Sequence, residues 1–186
     1  MSTLDILLIV IAAAVVIAIV AILVVMARKR AALRRRFGTE YDQLVAQDGN
    51  RRQADAELRE RMNERRHLDI KPLSPASRQA YEDEWRRVQG AFVDTPRVAL
   101  TQADALVSRI MCERGYPVDD FEHQAAIVSV DHPDVVRDYR SGHGVYMAST
   151  GSSSVSTEDL RQGFVHYRSL FDELVEEPAD DRRQAG

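Results

Sequence analysis

A single cysteine, Cys112, in 186 residues excludes an intramolecular disulfide and any CxxC zinc or redox pair, and it fits a reducing compartment. Alternating period-two runs longer than a few residues are missing, which argues against a sheet and leaves the helix as the building unit. No P-loop, no GxGxxG after a strand, no HExxH and no GxSxG elbow occurs, so the chain carries no recognisable catalytic signature and implies no cofactor. Lys and Arg are absent from Met1–Asp5, the short tail ahead of the first apolar run.

That run is the most informative feature present. Ile6 to Met26 are all apolar, without glycine or an aromatic residue, and a helix of this length reaches roughly 31 Å against a hydrocarbon core of about 30 Å. One transmembrane helix over 6–26 is expected. A secretory signal peptide would need a charged leading region, a shorter apolar stretch and a small-residue cleavage site, none of which fits. Six cations follow the run: Arg28, Lys29, Arg30, Arg34, Arg35 and Arg36. With no cation ahead of the span, the positive-inside rule places residues 27–186 in the cytoplasm, the chain crossing the cell membrane once. The collar is suited to anionic lipid headgroups. Formal charge is −4 overall, yet residues 37–186 carry 19 basic against 28 acidic side chains. An acidic domain repels phosphate backbones, so nucleic acid is not an expected partner. Ala14, Ala18 and Ala21 repeat at i, i+4 and i+7, a face through which two copies could associate.

Beyond the collar, Leu33, Phe37, Tyr41 and Leu44 share one helix face, so the first helix runs on or restarts near Gly38 and Thr39. Asp48, Gly49 and Asn50 break it. Arg51 to His67 is nearly all charge, with Ala54, Leu58 and Met62 as its apolar line. A stripe that thin predicts a solvated, exposed arm or a two-helix contact. Residues 27–72 are thus collar and charged helical arm, and 73–175 form a small helical domain.

Five helices are expected in that domain. Ser74 and Pro75 open the first, whose stripe is Tyr81, Trp85, Val88 and Phe92. Thr95 and Pro96 open the second, with Ala99, Ala103, Leu106 and Ile110 facing one way and Gly115 closing it. On the same helix Thr101, Ala105, Ser108 and Cys112 make a stripe of small side chains suited to close helix contact. Asp119 and Glu122 have capping-box spacing ahead of Phe121, Ala125 and Val128. Pro133 starts a helix at Asp134, with Val135, Tyr139, His143 and Tyr146 on one face and Gly142 and Gly144 weakening its second half. Ser156 with Asp159 caps the last helix, whose stripe is Leu160, Phe164, Tyr167, Phe171 and Leu174. Residues 176–186 read as a disordered tail.

The stretches FGTEYD (Phe37–Asp42), RGYPVDDFE (Arg114–Glu122), SVDHPDVV (Ser129–Val136) and STEDLRQGFVHYR (Ser156–Arg168) resemble an uncharacterised bacterial family. Its members are small single-span membrane proteins, mainly actinobacterial and often labelled hypothetical or secreted. The resemblance covers roughly residues 33–174 and implies no activity and no catalytic residue. It also implies alanine at the positions of Gly142, Gly144 and Gly163, which would make this chain locally less rigid.

Polar candidates are few. Asp131 and His132, ahead of Pro133, could orient a base or bind a metal, although helix capping explains them equally. His143 lies between Tyr139 and Tyr146, flanked by glycines that would allow a ligand to approach, or it is a satisfied core histidine. Asp131, His132, Tyr139 and His143 are therefore the candidate ligand-binding set. His166 shares a face with Gln162, Ser169 and Glu173 and is expected to meet water or a partner. Glu64 and His67 make one Glu-x-x-His, half of what a di-iron bundle needs, and no metal site is expected. The expectation is an all-α, membrane-anchored cytoplasmic protein-interaction or scaffold domain. The alternative is a small-ligand sensor or enzyme with its pocket near the four candidates.

Overall fold

Helices account for all regular structure in the computed structural model, which describes residues 3–151 and 154–176, with side chains described from Ile11 onward except at 12 and 48. They are α1 (Thr3–Asp48), α2 (Arg51–His67), α3 (Pro75–Ala91), α4 (Pro96–Arg114), α5 (Phe121–Asp131), α6 (Val136–Thr150) and α7 (Thr157–Glu176). The chain is all-α, and the five helices expected between residues 74 and 175 are α3 to α7. The tail expected over 176–186 lies, after Glu176, outside the described residues, as do residues 152 and 153 between α6 and α7.

Local chemistry sets most of the boundaries. Ser74 Oγ accepts from the Ser77 amide at 3.0 Å, with Pro75 in the first turn of α3. Gly115 ends α4 in the left-handed conformation at φ 94°, where a Cβ would lie 2.7 Å from the Asp69 carbonyl oxygen. At α7, Ser156 Oγ accepts from the Asp159 amide and Asp159 accepts from the Ser156 amide, the reciprocal cap expected from their spacing. At α5 the cap is Asp120, which accepts from the His123 amide at 3.0 Å, rather than the expected box of Asp119 and Glu122. Asp119 instead meets the His123 ring. Asp131 and His132 end α5 rather than begin a helix, and α6 starts at Val136, two residues later than expected.

The apolar stripes of α3, α4 and α7 converge on one core. Trp85 stacks between Phe164 and Phe171, with ring centroids 5.0 and 4.5 Å away. Ala99, Leu100, Ala103, Leu106 and Ile110 of α4 are fully enclosed with Tyr167, Leu170 and Leu174 of α7. Enclosing a large aliphatic or aromatic side chain stabilises by about 1.5–3 kcal/mol. α6 lies along α7 through two glycines: a Cβ on Gly142 would meet the Gly163 carbonyl oxygen at 3.2 Å, and one on Gly163 would meet Val145 Cβ at 2.9 Å. Alanine thus fits only at Gly144, which has open space, and not without displacement at the other two. The stripe of Thr101, Ala105, Ser108 and Cys112 departs from expectation. It looks outward, and Cys112 is exposed, because the large residues of α4 claim the opposite face.

The arm differs most from its expectation. Ala54 and Leu58 of α2 are fully buried, and with Leu33, Phe37, Tyr41, Leu44 and Val130 they form a second core. α2 is therefore sandwiched between the later part of α1 and α5 rather than solvated. The break that permits this is Gly38, at φ 48° and ψ −120° inside α1. Along an unbroken helix residues 27 and 45 would lie about 27 Å apart, yet Ala27 and Val45 line one cleft, together with Arg51. The chain bends back on itself at Gly38, and Gly49 with the N-cap Asn50 then starts α2 close to the end of the apolar run. Ahead of the collar, the described apolar residues of α1 stand open, with Ile17 69% exposed and Leu23 59%. Among the described residues no helix is long and apolar enough to cross a membrane. The consecutive apolar side chains described there are 13–26, the first part of the apolar run lying outside them.

Candidate functional site

None of the three clefts seen among the described residues is lined by any of the four candidates. Asp131 accepts from Tyr116 Oη at 2.9 Å and pairs with Arg65 of α2. His132, its side chain wholly enclosed, has Nδ1 3.0 Å from Glu173 Oε1 on α7. Tyr139 donates to Gln124 Oε1 at 2.6 Å, and burial pushes its phenol far above the ordinary range. His143 stacks on Phe121 with centroids 3.6 Å apart, and its Nδ1 lies 3.4 Å from Asp104 Oδ1. Asp104 also accepts from Tyr167 Oη at 2.5 Å. Burial and the Asp104 carboxylate keep that phenol protonated. Each candidate thus serves as an internal tie between helices: Asp131 from α5 to α2, His132 from the end of α5 to α7, Tyr139 from α6 to α5, and His143 from α6 to α4.

The other polar candidates also resolve into ties. His166 is half-buried, with Nδ1 3.3 Å from Asp138 on α6, and so does not simply face water. Glu64 and His67 go separate ways. Glu64 reaches the His123 ring of α5 at 2.7 Å, whereas His67 Nδ1 lies 2.8 Å from the Asn63 carbonyl oxygen. Among the described residues no group of His, Cys, Asp and Glu side chains could hold a metal ion.

Two carboxylates outside the four candidates organise the joint between α1, α2 and the bundle. Glu40, two residues past the bend, has a side chain only 1% exposed. It receives Arg140 of α6 through both guanidinium nitrogens, at 2.6 and 3.0 Å, and Arg61 of α2 at 2.9 Å. Asp55 of α2 is 7% exposed and takes Arg30 Nε at 3.1 Å on one oxygen and Tyr41 Oη at 3.0 Å on the other. Arg59 flanks it at 3.8 Å. Burial, then the Asp55 hydrogen bond, raises the Tyr41 phenol. A helical wheel carried the signal. Glu40 falls between Phe37 and Leu44 on the buried face, and Asp55 lies three residues before Leu58.

The collar divides into two groups. Arg36 donates to the Val130 carbonyl oxygen of α5 at 3.3 Å, and Arg34 lies 3.3 Å from Asp42. Arg35 donates within its own helix, to the Ala31 carbonyl oxygen. Arg28 and Lys29 are exposed and pair with no carboxylate among the described residues. Lys29 and Arg30 face a cleft of about 390 Å³ that they share with Met26, Arg52, Asp55 and Arg59. A second cleft, of about 310 Å³ and including Arg30, Arg34 and Arg51, flanks it. This arginine-lined joint is the most charged concave surface among the clefts seen. Comparison with protein-family models, curated proteins and solved structures finds no match to this chain.

Proposed function

We propose that this protein is a single-span membrane protein whose helical domain works as a protein-interaction or scaffold module at the inner face of the cell membrane. The observation that carries the reading is the apolar part of α1, described side chains of which stand open on all sides without protein packed against them. A helix apolar all round belongs in a protein core or in lipid, and no core covers this one. The sequence extends the run back to Ile6, enough for one span. The inward side follows from the collar of cations that comes directly after the run. An interaction role is favoured over ligand turnover because the four candidate residues tie helices together. The resemblance to small single-span proteins agrees with the same reading.

Cys112 makes the test direct, since it is the single cysteine and lies exposed on α4. In cells expressing the full chain, a membrane-impermeant maleimide is expected to label Cys112 only after the cell membrane is broken. The protein is expected to stay in the pellet after carbonate extraction. Labelling in intact cells overturns the orientation, and carbonate release overturns the anchor. Proximity labelling from the C-terminus is expected to enrich one protein above its bulk neighbours, and recovery of bulk neighbours alone overturns the interaction role.

A further inference from the structure

We propose that the bend of α1 builds a cradle for the phosphate of an anionic lipid headgroup, formed by Lys29 and Arg30 of α1 with Arg52 and Arg59 of α2. The inference rests on the membrane reading and gives its surface a defined ligand. The pair Lys29 and Arg30 is remote in sequence from the pair Arg52 and Arg59, and the two share a cleft because the chain folds back at Gly38. One carboxylate, Asp55, lies among them. Its oxygens are engaged by Arg30, Arg59 and Tyr41, so it orients the two guanidinium groups, and four cations against this one carboxylate leave the cleft with a net positive charge. Guanidinium groups can take phosphate oxygens through paired N–H donors, which a linear cation run on one helix would not converge. The first turn of α2 carries no acidic side chain, leaving the positive end of its dipole uncompensated at the same place.

Position favours a lipid over free phosphate. Met26, the last residue of the apolar run, lines the cleft, and Ile22, one turn earlier, is 59% exposed. A phosphate held here has an open apolar helix surface next to it for acyl chains. A zwitterionic headgroup would bring its own cation against four others. Arg34 and Arg36 of the collar are committed to Asp42 and Val130, Arg35 bonds within its own helix, and Arg28 stays exposed outside the residues lining the cleft. The headgroup surface therefore draws on α2 and is not the linear collar.

The experiment uses the full chain in neutral detergent micelles, titrated with dioctanoyl phosphatidylglycerol, dioctanoyl phosphatidylcholine or inorganic phosphate and read by native mass spectrometry. Phosphatidylglycerol is expected to bind saturably at one site. Arg52→Gln with Lys29→Gln is expected to weaken it about 25-fold, roughly fivefold for each cation removed. Arg66→Gln, at the far end of α2, is expected to leave binding unchanged. Lys29 has no carboxylate partner among the described residues, so Lys29→Gln alone keeps the test valid if Arg52→Gln perturbs folding. Equal binding of phosphatidylcholine, equal binding of inorganic phosphate, or unchanged binding by the double variant overturns the cradle. Carbonate extraction of the same variants separates the two ideas. Retention of a variant that binds normally sinks the cradle alone, whereas release of the wild type sinks the membrane reading.

Discussion

Glu40 shows how much one residue can carry. An enclosed carboxylate between two guanidinium groups adds little net stability over an apolar substitute of matched shape, but removing it takes the shared partner from two half-buried cations, leaving Arg61 with Glu57 at 2.9 Å and Arg140 with Glu122 at 3.9 Å. Glu40→Ala is therefore expected to cost about 1–3 kcal/mol in urea unfolding of the full chain in micelles, followed by the fluorescence of Trp85. A loss below about 1 kcal/mol would mean that water reaches Arg61 and Arg140 freely. Part of this was legible in the sequence, since Glu40 sits on the apolar face of its helix. Its partners were not, because Arg61 and Arg140 lie 21 and 100 residues away and no local period relates them. The four candidate residues show the converse. Sequence put Tyr139 and His143 on an apolar helix face and Asp131 and His132 at a helix end, yet their polar groups meet partners on other helices, and such satisfaction is a tertiary property.

At the scale of helices, caps and stripes were readable because they are written in residues three and four apart. The stripes of α3, α4 and α7 all turn inward as expected. Where α2 lies was harder to read. A line of three apolar residues fits solvent or a two-helix contact alike, and only the bend at Gly38 supplies the second helix. The small-residue stripe of α4 misled for a related reason, since small side chains suit close packing but do not require it. The glycines of α6 and α7 give an opposed pair of outcomes. Gly144→Ala is expected to stabilise by about 0.5–1 kcal/mol, because the site is open and alanine is the better helix former. Gly163→Ala is expected to destabilise by about 1–3 kcal/mol, because its methyl group would press on Val145. Thermal melts of the two variants check both signs, and a Gly163→Ala protein as stable as wild type would show that α6 shifts to make room.

For the molecule as a whole, the question is what holds the α1–α2 unit on the bundle. One clasp is titratable. His123 of α5 sits between Glu64 of α2 and Asp119, and the Glu64 hydrogen bond, reinforced by Asp119 against an opposing effect of burial, raises its pKa above the ordinary 6.5. A raised folded-state pKa means that the clasp contributes fully below about pH 6.5 and fades as pH climbs through the folded value. The thermal midpoint of the wild type is expected to fall from pH 6 to pH 8.5 more steeply than that of His123→Gln. Parallel curves would remove His123 from the account. Glu158, fully exposed and held at about 2 by Arg161 and Gln162, stays charged across that range and leaves the comparison clean.

The elbow at Gly38 also decides how such a domain would meet the world around it. On a floppy tether, a domain samples many heights and every facing, and a partner can catch it from any side. Here the helix that enters the bilayer in our reading is locked to the bundle through Glu40, Arg36 and the second core, so the domain would have one height and one heading. A tilt of the anchor in a thinner or thicker bilayer would swing the whole bundle like a hand on a wrist. Bilayer thickness would then set which face of the domain a cytoplasmic neighbour encounters first.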